Sequence, residues 1–208
     1  MPADRRDFLG ALIGASVLGR ADALRSHPLP DSPWDLSWTG KLKGEHRAVF
    51  DWYQPAASAG LWRARIWRDQ VTETFGVTTE NISSVLVIRH SAIPMIMGDD
   101  FWARNELGRK RKIKDERTGK TATRNPHRKE IEDFLSRGGI VLACGFAFGA
   151  MVYAEAQRQK KKFEEVRPEV LTQVIPGIVI QPSGFFALLE AQRNGCGLFP
   201  ADVIGPED

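Results

Sequence analysis

Cysteine is scarce in this sequence, present only at Cys144 and Cys196. That number rules out a disulfide-rich scaffold and makes each thiol a question in itself. Long apolar runs are missing too: no stretch reaches 18 residues, so no membrane-spanning helix is expected. The chain has no G-x-G-x-x-G, no P-loop and no H-E-x-x-H. His27, His46 and His127 form no ligand spacing with His90 or with the cysteines, so zinc has no support. No cofactor is expected. Charge of one sign is also lacking overall, since the formal net charge of +3 is mild and implies no particular partner. What remains is a chain of 208 residues with 42% hydrophobic content, enough for one domain with a sizeable core.

The N-terminus reads as a targeting segment. Arg5 and Arg6 precede an apolar run from Phe8 to Gly19, and Ala21-Asp22-Ala23 offers a small-x-small cleavage site. The run is too short to span a bilayer. It resembles a bacterial twin-arginine signal, which implies export of a folded protein to the periplasm and cleavage after about Ala23. The expected organisation is a signal peptide over 1–23, a proline-rich arm over 24–44 and one domain over 45–208. Trp34 and Trp38 in the arm are candidates to pack back onto the domain.

Within the domain, near-continuous β-branched runs alternate with helical patterns. Residues 46–53, 83–90, 139–145 and 176–184 read as strands, and 196–199 as a short last or edge strand. Ala64, Trp67, Val71 and Phe75 recur at helical spacing. Further helices are expected over 127–137, over 148–173 in two pieces, and over 184–194. Such alternation implies an α/β domain with a mainly parallel sheet, a three-layer α/β/α sandwich. Residues 104–129 interrupt it with eleven Lys/Arg against three acidic residues. They read as a solvated basic insertion with a hairpin turn at 115–120, or as a flap for an acidic partner. No aromatic residue interleaves that run, which argues against nucleic acid.

In a parallel α/β sheet, ligands gather outside the carboxyl ends of the strands. Arg89, His90 and Ser91 close the second strand there, Cys144 and Gly145 the third, and Pro182, Ser183 and Gly184 the fourth. Cys196 opens the last strand at the opposite rim, too far for a disulfide to Cys144. Cys144 runs directly into a helix, whose N-terminus would stabilise a thiolate. Cysteine is equally a common core residue, and a histidine at a strand end is often structural, so the residues alone leave both readings open. Met95 and Met97 could act as soft ligands, although rim or core packing suits them better. Ser183 lacks the G-x-S-x-G context of a nucleophile.

Three of these segments, "SSVLVIRHSAIPMIM", "SRGGIVLACGFAF" and "VIPGIVIQPSGFFALLEAQRNGCGLF", resemble the DsrE/DsrF-like family of sulfur metabolism. The resemblance covers roughly 46–100 and 130–200. It implies an oligomeric α/β protein that carries sulfane sulfur as a persulfide on Cys144, with His90 beside it as a base or anion-binding group. Arg89, Ser91, Gly145, Pro182, Ser183 and Gly184 would form the surrounding binding rim. The implied partners are a thiol or sulfane-sulfur donor and acceptor, and further copies of this chain. A non-catalytic periplasmic ligand-binding or assembly subunit, using the same rim and the basic insertion, is the alternative.

Overall fold

A computed structural model describes residues 34–55, 59–115 and 117–200. The expected signal segment, 1–23, and the arm up to residue 33 lie outside the described residues. Five strands form one all-parallel sheet: β1 (His46–Trp52), β2 (Ile82–Ile88), β3 (Ile140–Cys144), β4 (Val179–Gln181) and β5 (Gly197–Phe199). Their spatial order is β4-β3-β2-β1-β5. The seven α-helices among the described residues are α1 (Ala59–Phe75), α2 (Asp99–Asn105), α3 (Leu107–Arg111), α4 (Arg128–Ser136), α5 (Gly145–Gln159), α6 (Phe163–Leu171) and α7 (Gly184–Arg193).

Strand periodicity sorts the side chains into two cores. Ala48, Phe50 and Trp52 of β1, with Leu86 and Ile88 of β2 and Val141 and Ala143 of β3, face the larger one. There they meet Leu61 and Ala64 of α1, Ile131 and Phe134 of α4, and Phe148 and Val152 of α5. The alternate residues Val49, Val85, Val87, Ile140 and Leu142 face a smaller core closed by Ala187, Leu188 and Ala191 of α7. Helices on both faces make this a three-layer α/β/α sandwich. β2 lies in the middle of the sheet with all seven residues buried, which is why its sequence is apolar without alternation.

The arm joins the domain from its described start. A 3-10 turn over Ser37–Lys41 places Trp38 and Leu42 in the smaller core, with Trp38 fully buried. The basic insertion differs from the expected solvated loop. Its hairpin turn is present: the Asp115 amide donates to the Lys120 carbonyl at 2.8 Å, and Asp115 Oδ1 accepts from the Arg117 and Thr118 amides. Yet Leu107, Ile113 and Ala122 are buried in the larger core, and Asn125 Nδ2 donates to the carbonyls of Met95 and Met97 at 2.7 and 2.9 Å. A few widely spaced anchors therefore hold a segment whose average composition is that of a loop. Met95 and Met97 are themselves fully buried core residues.

Glu155 ties this region to the helical layer. Its carboxylate, almost wholly buried, accepts from Arg158 at 2.5 and 2.9 Å and from Gln159 at 2.8 Å, with Arg104 of α2 at 4.0 Å. The hydrogen bonds from Arg158 hold its carboxyl at about 2, against burial, which acts the other way. A carboxyl depressed in the folded state adds stability above its unfolded pKa, and that stability is lost as pH falls through the folded value. Acid unfolding from pH 4.5 to pH 2 should therefore remove about 2–3 kcal/mol through this group, allowing for the exposure of Arg158. Urea titrations across that range should show a shallower pH slope for Glu155→Gln; an unchanged slope would assign the acid sensitivity elsewhere.

Candidate functional site

The order of the strands creates one crevice at the carboxyl rim. After β3 the chain enters α5, which packs on the larger core; after β4 it enters α7, which packs on the smaller one. β3 and β4 are neighbours, so their exits diverge to opposite faces, the arrangement at which α/β sheets bind ligands. Cys144 is the last residue of β3 and is paired in register with Gln181, the last residue of β4. On its other side the register of β2 and β3 pairs Ile88 with Ala143, which brings Arg89 level with Cys144. The rim thus carries a row of Arg89, Cys144 and Gln181 on three adjacent strands.

Cys144 is the N-cap of α5: its backbone is extended and its Sγ accepts the Ala147 N–H at 3.4 Å. The residue is only 7% exposed. Gly145 follows because nothing larger fits: a Cβ there would lie 2.5 Å from the Gln181 carbonyl oxygen and 3.2 Å from the Trp34 ring. The described end of the arm accordingly lies against the crevice. Gln181 fixes it there by donating from Nε2 to the Asp35 carbonyl at 2.8 Å, while its Oε1 is buried with no hydrogen-bond partner. An unpaired buried acceptor is costly and marks a place where a donor belongs.

Arg89 turns out to be a pin. Its Nε and Nη2 bond Asp51 Oδ1 and Oδ2 at 2.8 and 2.6 Å, and its guanidinium lies 5.2 Å from the Tyr53 ring and 5.1 Å from the Phe185 ring. Gly184 is required beside it, since a Cβ would approach the Arg89 side chain to 2.6 Å. Ser91 Oγ donates to the Tyr53 carbonyl at 3.0 Å, tying the exit of β2 to that of β1. His90 sits between these two anchors in the left-handed region, with φ of 50°, which a non-glycine residue adopts at a cost. It is exposed and makes no hydrogen bond, ion pair or ring contact with the described residues, Cys144 included. Pro182 stops β4, and Ser183 caps α7 by accepting the Phe186 N–H at 3.0 Å. The structure therefore gathers Cys144, Gly145 and the Pro182–Gly184 turn around one crevice, leaves His90 uncoupled from the thiol, and assigns Arg89 to Asp51. The partners Asp51, Asp35 and Gln181 escaped sequence reasoning; a polar residue ending the apolar run "GIVIQ" was the only hint of the last.

Cys196 is a different kind of thiol. Both cysteines are free. The register sets Cys196 level with Ser83, six residues short of the level of Cys144, so roughly 20 Å separates them along the strands alone. No disulfide can bridge that distance. Burial in the smaller core pushes the Cys196 thiol up to about 11, with Arg47 opposing. A thiol so held is a packing residue at neutral pH.

Among the described residues, no three His, Cys, Asp or Glu side chains are grouped to hold a metal ion, and no helix is long and apolar enough to cross a membrane. No protein-family model and no curated protein matches this chain. Among solved structures it is similar to the protein of unknown function MTH1491 from Methanobacterium thermoautotrophicum, at 11% identity and a TM-score of 0.44. That match spans 76% of this chain and 100% of the other.

Proposed function

We propose that this chain handles sulfane sulfur, carrying it as a persulfide on Cys144, as an exported and oligomeric protein of the DsrE/DsrF-like kind. The observation that supports this best is the position of Cys144: it caps α5 through its sulfur, at the crevice where the exits of β3 and β4 part. In the reaction the Cys144 thiolate attacks the outer sulfur of a donor such as thiosulfate. A new S–S bond forms on Cys144, the donor's S–S bond breaks, and sulfite departs with the electron pair. A second thiolate then attacks the outer sulfur of the persulfide and regenerates the Cys144 thiolate, so no external oxidant or reductant is consumed. The Ala147 N–H of α5 donates to the Cys144 sulfur, and Gln181, on the paired strand end, stands level with it. His90, one residue beyond Arg89, would act on an incoming anion from the exposed rim.

Incubation with thiosulfate or polysulfide should add the mass of one sulfur atom to the protein, and Cys144→Ser should abolish the adduct. Trp34→Ala should speed alkylation of Cys144 by uncovering the crevice. No adduct on the unaltered protein, or an equal one on Cys144→Ser, would sink the proposal.

The low exposure of Cys144 favours a second reading, a non-catalytic binding or assembly subunit. An open groove of about 400 Å³ along the free edge of β4, lined by Trp34, Leu171, Ile178 and Ile180 among others, would serve it. Native protein whose Cys144 resists alkylation while the groove still binds a partner would decide for that reading.

A further inference from the structure

At the opposite rim of the sheet, we infer that Arg65, Arg68 and Arg137 form a binding site for a small tetrahedral oxoanion, phosphate or sulfate or the phosphoryl group of an ester. Residues 65, 68, 69 and 72 share one stripe of α1, next to the apolar stripe that faces the core. The stripe faces the C-terminal end of α4, and a cavity of about 60 Å³ lies between them. Arg68 is the decisive residue. It is only 7% exposed, yet among the described residues it has no carboxylate within salt-bridge distance. Buried arginines are almost never left without an anionic partner.

The contacts Arg68 does make leave most of its donors unused. Nη2 donates to the Arg137 carbonyl at 2.5 Å, closing the end of α4, and the guanidinium lies 5.8 Å from the Phe134 ring. Among the described residues Nε and Nη1 have no acceptor, although a guanidinium presents its five N–H groups in one fork suited to an oxoanion. Burial, and after it the positive charge of Arg137, press against the charge on Arg68, with Asp69 opposing them less strongly, and a bound anion would relieve both. Arg65 and Arg137 line the same cavity from the surface, with the hydroxyl of Thr72 as a further donor; the Thr79 hydroxyl, which also lines it, donates to Glu80 at 3.3 Å. Asp69 and Asp133 line it as well, but neither pairs with any of the three arginines within 4 Å, so the guanidinium forks are open. A water needs roughly 15 Å³ of such space, so the cavity admits about four waters or one oxoanion that displaces them. This site is independent of Cys144, which lies at the other end of the sheet.

Titration of the whole protein with inorganic phosphate, sulfate and glycerol phosphate, each at constant ionic strength against chloride, tests the inference by calorimetry and by thermal shift. Saturable binding of phosphate or sulfate with a rise in melting temperature is expected. Arg137→Gln and Arg65→Gln, which leave the Arg68 contact to the helix carbonyl in place, should each weaken it about tenfold or more. Equal or tighter binding of glycerol phosphate assigns the site to a phosphate ester, and its exclusion assigns it to the free ion. No binding beyond that of chloride, or the same affinity in both variants as in the parent, would overturn the inference.

Discussion

Replacing Asp51 with alanine should destabilise the protein by about 3–5 kcal/mol, among the largest effects of any single side chain. Asp51 is 7% exposed and binds Arg89 through both oxygens. Without it, the Arg89 guanidinium loses its carboxylate while held between the Tyr53 and Phe185 rings and against Gly184, with its side chain only 20% exposed. Breaking a buried pair on one side costs more than removing the pair, because the remaining charge is left unsolvated. The double variant Asp51→Ala, Arg89→Met should therefore recover much of the loss. Urea midpoints with an unchanged slope would measure both effects. A single-variant cost below about 1 kcal/mol would show instead that solvent screens the pair as it does at a surface. The pair also fixes the exit of β2 level with Cys144, so Asp51→Ala should broaden the environment of the thiol and raise its alkylation rate.

Gly108→Ala should cost more than about 3 kcal/mol locally, from overpacking with no rotamer to relieve it. A Cβ at Gly108 would stand 1.8 Å from the Ala122 carbonyl oxygen, backbone against backbone. The segment carrying Ala122 would have to retreat, breaking its amide's bond to the Ile113 carbonyl and lifting Ile113 and Ala122 out of the larger core. The loss should stay within 107–125. Hydrogen exchange should rise there while β2 remains protected, and trypsin should cut the basic run much faster. Wild-type protection across 107–125 in Gly108→Ala would refute the close approach.

The legible parts of the fold were those written in local pattern. Strand β2 is expected over 83–90 and found over Ile82–Ile88; it ends early because His90 turns into the left-handed region and leaves the sheet. Strand β4 is expected over 176–184 and pairs only over Val179–Gln181, since Pro176 and Gly177 form a turn and β4 has a neighbour on one side alone. Helix α1 buries Ala64 and Val71 as its spacing predicts, yet Phe75, at its last position, is 61% exposed and stacks on His46 instead. The insertion hid its burial because Leu107, Ile113 and Ala122 follow no period.

By itself the sequence determined that strands and helices alternate, and that Cys144, His90 and Ser183 end up on one rim while Cys196 opens the other. These follow from side-chain periodicity and turn residues, which act over a few positions. Only the tertiary structure decided the strand order that makes β3 and β4 neighbours with diverging exits. It alone also decided that Asp51 takes Arg89 across 38 positions, that Gln181 reaches Asp35 across 146, and that Arg65, Arg68 and Arg137 line one cavity. The reason is physical: a buried polar group must find its partner wherever the folded chain supplies one, and no local pattern records which distant residue that is.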